Sequence, residues 1–226
     1  MLMKIDELLL KLDERLRTRR KFDAPSDNFV RYSRHLQGDK DFLGKTPIIK
    51  AEFFESSDMA LVGPGDQMKL GIEFGLPLPE DYLKFCSRFE EYYFVGFAHL
   101  HIWNASHAKD TALTFRSIED ISQSLPHRLF HFASNYDLPG FFSFRWSADY
   151  KKMDVVYVWD YGDVSVNDLL GPKGDRFVCD TSFTSWLSRM IETDGRPIFP
   201  GKRWPMADGG WFDDNFPYFK RLKGVR

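Results

Sequence analysis

Cysteine is scarce: the chain of 226 residues has two, Cys86 and Cys179. Two isolated thiols make no disulfide framework. The fold is therefore expected to rest on burial of apolar side chains, with both thiols free, as in a reducing compartment. A large charge of one sign is missing too. The formal net charge is −2, which leaves no overall basic footprint for nucleic acid. Long apolar runs are missing, and with them a membrane-spanning helix. The opening "MLMKIDELLLKLDERL" places Asp6 and Glu7 ahead of a short apolar run, without the basic, apolar and small-residue order of a signal peptide. The expectation is a cytoplasmic protein. There is no internal repeat, no low-complexity segment and no Gly-x-Ser-x-Gly turn for a nucleophile. "GPGDQ" and "GPKGDR" lack the Lys-Ser/Thr ending that a phosphate loop uses.

Aromatic residues are what the chain has in quantity. With 22 Phe, 9 Tyr and 6 Trp they reach 16%, enough to build a large aromatic core and to leave some rings as partner contacts. Charge is distributed unevenly. Met1 to Phe22 carries 7 Lys/Arg against 4 Asp/Glu, Pro79 to Val164 carries 8 against 12, and Gly195 to Arg226 carries 7 against 3. The acidic middle reads either as solvated surface or as a face offered to a basic partner.

Apolar spacing predicts the elements. Ile5, Leu8, Leu9, Leu12 and Leu16 recur at helical intervals. "TPIIKAEFFE" reads as a strand. Pro79 suits a first helical position, Glu80 and Asp81 suit the positive end of the helix dipole, and Tyr82, Phe85, Cys86 and Phe89 form one apolar face. In "FAHLHIW", Leu100 and Ile102 alternate with His99, His101 and Trp103. "SIEDISQSLP" reads as a short helix or turn capped by Ser117. "RLFHFASN", "GFFSFRWSA" and "MDVVYVWDYGD" read as strands, and their short connections point to antiparallel hairpins. "RFVCD" is one more. A last helix turns Phe183, Trp186, Leu187 and Met190 inward and stops at Gly195. This order predicts an α+β domain.

Four segments in sequence, "LPLPEDYLKFC", "LFHFASNYDLPGFFSFRW", "VVYVWDYGD" and "SFTSWLSRMI", resemble the Smi1/Knr4-like, or SUKH, superfamily. The resemblance covers roughly residues 72 to 195, with residues 1–71 an N-terminal helix and extension packing on the body and residues 196–226 a tail. One feature departs from the pattern: "FEEYYFVG" stands where the family has Asn-Gly-Gly after the first helix. The resemblance implies a central antiparallel twisted sheet flanked by helices. It also implies a non-enzymatic protein-binding module. Members are mostly bacterial immunity proteins that bind and neutralise polymorphic toxins, often nucleases or deaminases, while fungal members are scaffolds in cell-wall signalling. The expected partner is therefore a cognate toxin domain, with no cofactor and no nucleic acid or membrane bound. An intracellular scaffold or regulatory protein of the same fold is the alternative.

The residues allow one enzymatic reading. His99 and His101 share a strand face, and His107, Asp110 or His131 could complete a metal set for a small hydrolase. No third ligand stands at a fixed spacing, so neither a catalytic site nor a metal is expected. The carboxylate pairs Asp160 with Asp163 and Asp213 with Asp214 read as solvated turns. The basic and aromatic tail is interrupted by Asp208, Asp213 and Asp214, which argues against stacking on nucleic acid. Partner contacts are expected around the turns flanking the third strand, at Trp146, Asp149, Tyr150, Asp160, Tyr161 and Asp163. Turns sit at the surface, Tyr and Trp serve as hot spots, and the carboxylates would steer a basic toxin.

Overall fold

The computed structural model describes residues 4–18, 30–32, 36, 38–43, 51–53, 77–94, 100–103, 128–135, 140–159, 170–172, 174–193 and 195. In chain order these form α1 (Ile5–Thr18), β1 (Val30–Tyr32), α2 (Lys40–Leu43), β2 (Ala51–Phe53), α3 (Glu80–Arg88), β3 (Phe89–Phe94) and β4 (Leu100–Trp103). They continue with β5 (Leu129–Asn135), β6 (Gly140–Trp146), β7 (Met153–Trp159), a 3-10 turn (Gly174–Phe177), β8 (Val178–Asp180) and α4 (Phe183–Glu192). The class is α+β.

The strands form one sheet in the order β2-β1-β3-β4-β5-β6-β7-β8. Neighbours from β3 to β8 pair antiparallel, as the short hairpin connections require, and β1 pairs antiparallel with β3. The β1–β2 pair is parallel, a departure from the all-antiparallel expectation. Both of these three-residue strands precede residue 72 and are members of the sheet rather than a layer laid over it.

Register sorts the side chains onto two faces, because residues paired across strands point the same way. Phe142 pairs with Tyr157 and Phe144 with Val155. These four are buried in one cluster with Leu8 and Leu12 of α1, Tyr82 and Phe85 of α3, and Phe183, Trp186 and Leu187 of α4. The helices therefore cover this face. Trp186 is fully buried, its ring edge-on to Phe132 at 4.8 Å and to Phe142 at 5.0 Å, so the inward face expected of the last helix is realised. Strict alternation fails in β5. A register shift between His131 and Ala133 puts both Phe132 and Ala133 in the helix-side core. A bulge has this effect, since its extra residue restores the next one to the other face.

α1 is fixed by more than its apolar stripe. Asp13, 5% exposed, is bound by Arg88 of α3 and accepts a hydrogen bond from the Tyr32 hydroxyl at 3.0 Å. Burial, then the charge of Asp13, pushes the Tyr32 phenol well above its usual range. The Tyr92 hydroxyl donates to the Leu12 carbonyl at 3.0 Å. Both oxygens of the buried carboxylate thus have partners, as burial of a charge demands.

Two boundaries differ from the sequence reading. Pro79 is the N-cap rather than the first helical residue, with ψ at 136° and no side-chain cap. Phe89 leaves the helix: α3 ends at Arg88, and "FEEYYF" forms β3. Phe89, Tyr92 and Phe94 still reach the helix-side core, now from a strand. At the other end Gly195 has φ +78°, donates its N–H to the Met190 carbonyl at 2.7 Å and closes α4. A Cβ there would stand 2.6 Å from the Phe94 Cβ, so the position demands glycine twice over. "SIEDISQSLP" lies outside the described residues.

Candidate partner-binding surface

Two places hold the polar side chains singled out from the sequence. The first is the turn between β6 and β7. It is closed by hydrogen bonds from Ser147 N to the Lys152 carbonyl and from Tyr150 N to the Ser147 carbonyl, both 2.9 Å. Asp149 organises it from within, accepting from the Ser147 hydroxyl at 2.6 Å and the Lys151 N–H at 3.2 Å. The Ser147 hydroxyl and then the Lys151 N–H hold the Asp149 carboxyl below its usual range. Lys151 Nζ lies 3.7 Å from Asp149, which offsets the negative charge that was to attract a basic partner. The Asp149 side chain remains 57% exposed. Tyr150 takes φ 57°, a left-handed conformation uncommon for a non-glycine residue. It is partly buried against the helix-side core.

Trp146 departs from its expected role. It is 2% exposed, pairs with Met153 across the hairpin and sits edge-on to Phe144 at 5.9 Å. Its ring closes the end of the core and offers no face to a partner. Asp160, Tyr161 and Asp163 lie outside the described residues. Of the six expected contact residues, the structure thus brings Asp149 and Tyr150 together on one turn.

The second place is the sheet face opposite the helices. Glu91 pairs with Trp103, Tyr93 with His101, His101 with Ser134, and His131 with Ser143. The bulge in β5 is what sets His131 and Ser134 on the same face. Sequence reading found His101 and His131 here but missed Glu91 and both serines, which gather only through strand pairing. His101 is 2% exposed and stacks on Tyr93 at 3.9 Å. Its Nδ1 accepts the Trp103 indole N–H at 2.7 Å. A nitrogen that accepts carries no proton, so the neutral ring holds its hydrogen on Nε2, 3.9 Å from Glu91. Neither ring nitrogen then presents a lone pair to a metal. His131 Nδ1 lies 2.5 Å from the Ser143 hydroxyl, and burial lowers its pKa to about 4. Among the described residues no three His, Cys, Asp or Glu side chains gather as a metal set. His99, His107 and Asp110 lie outside them.

No helix among the described residues is long and apolar enough to cross a membrane. The chain matches no family model, no curated protein and no solved structure.

Proposed function

We propose that the chain is a non-enzymatic protein-binding module of the Smi1/Knr4-like kind, an immunity-type protein that binds and neutralises a cognate nuclease-like toxin in the cytoplasm. The observation that carries the reading is the joining of the two helix starts in the resemblance. Asp81 of the Leu-Pro-Glu-Asp-Tyr start accepts hydrogen bonds from the N–H and hydroxyl of Thr184 in the Ser-Phe-x-x-Trp start, each at 2.7 Å. Tyr82 beside it lies against Phe132 and Phe144 of the two central strands. Three of the segments that carry the resemblance are thus neighbours in space.

We assign the contact surface to the β6–β7 turn, with Asp149 exposed on it, and keep Asp160, Tyr161 and Asp163, which follow the far end of β7 in the chain, as a second candidate patch. No cofactor, membrane or nucleic acid enters this reading. The test is protection in living cells. The chain is co-expressed with the product of the gene beside its own, and growth is compared with a strain making that product alone. Rescue of growth by this chain, and not by an unrelated immunity protein, supports the proposal. Unrelieved killing, or a neighbour with no toxicity to relieve, favours the scaffold reading.

A further inference from the structure

We draw no further inference here: the strongest candidate, the polar and aromatic side-chain cluster on the sheet face opposite the helices, carries nothing, because its Glu91, His101, Trp103, Ser134 and Ser143 are buried and nothing in the structure shows what covers them.

Discussion

Asp81 and Thr184 are 103 positions apart in the chain and share one carboxylate oxygen: Asp81 Oδ2 accepts both the backbone N–H and the hydroxyl of Thr184. The other oxygen accepts the Tyr82 N–H at 3.0 Å. One acid therefore serves the first turns of two helices. The opening N–H groups of a helix have no partner within it. In α4 the Ser185 N–H is taken by Ser182 at 3.1 Å and the Thr184 N–H by Asp81. This is what the Leu-Pro-Glu-Asp-Tyr start is built to do.

Asp81→Ala removes a remote cap and a helix-to-helix link together, and should cost about 1–2 kcal/mol. Urea denaturation measures it. Glu80→Ala, one position away and with an exposed side chain, is the control and should change stability little. Equal losses in the two variants would show that the link contributes nothing.

Trp186→Ala should cost about 3–5 kcal/mol, as large aromatic truncations in cores do. Trp186→Phe should cost less, because the indole N–H has no hydrogen-bond partner among the described residues and a ring still meets Phe132 and Phe142. A melting temperature for Trp186→Ala close to that of the parent protein would contradict the packing.

Arg88→Met leaves the Asp13 carboxylate buried without its cation, which should cost about 3 kcal/mol or more. Adding Asp13→Asn removes the stranded charge and keeps an oxygen for Tyr32. The double variant should therefore be more stable than Arg88→Met alone. Strict additivity of the two changes would mean that the pair does not interact.

His131 supplies a pH dependence. Its pKa in the fold, about 4, is below the unfolded value of roughly 6.5. Between these values the unfolded chain binds the extra proton, so stability falls as the pH drops from about 6.5 to about 4 and is fully present above that window. The slope from this one group is at most about 1.4 kcal/mol per pH unit. Denaturation at pH 7 and pH 5 should show a smaller loss in His131→Gln than in the parent. An unchanged difference would mean that His131 titrates normally in the fold.

Local pattern made some elements readable and hid others. The apolar stripe of α1 and the inward faces of α3 and α4 follow from spacing alone, as does the pairing of β5 to β7 from their short connections. β3 was hidden because Phe89 continues the helical spacing of Tyr82 and Phe85, and only pairing with β1 and β4 makes "FEEYYF" a strand. β1, three residues long, is too short to show a period, whereas β2 (Ala51–Phe53) lies within "TPIIKAEFFE", which reads as a strand. Trp146 was misread because its place beside a turn outweighed the alternation that sets it on the same face as Phe142 and Phe144, where the core lies. The Asp81–Thr184 link and the gathering of Glu91, Ser134 and Ser143 depend on long-range contacts, which no local pattern carries.

The proposed binding role meets its most direct test in solution. The purified chain and the purified product of the neighbouring gene are mixed at low salt, where steering by charge is strongest, and association is followed in real time. The account predicts a stoichiometric complex that suppresses the neighbour's toxic activity, and slower association when Asp160→Lys and Asp163→Lys are introduced together, with the melting temperature little changed. A complex that forms at the same rate with this double charge reversal would move the interface elsewhere on the molecule. No complex with an active toxin encoded beside it would contradict the immunity reading itself.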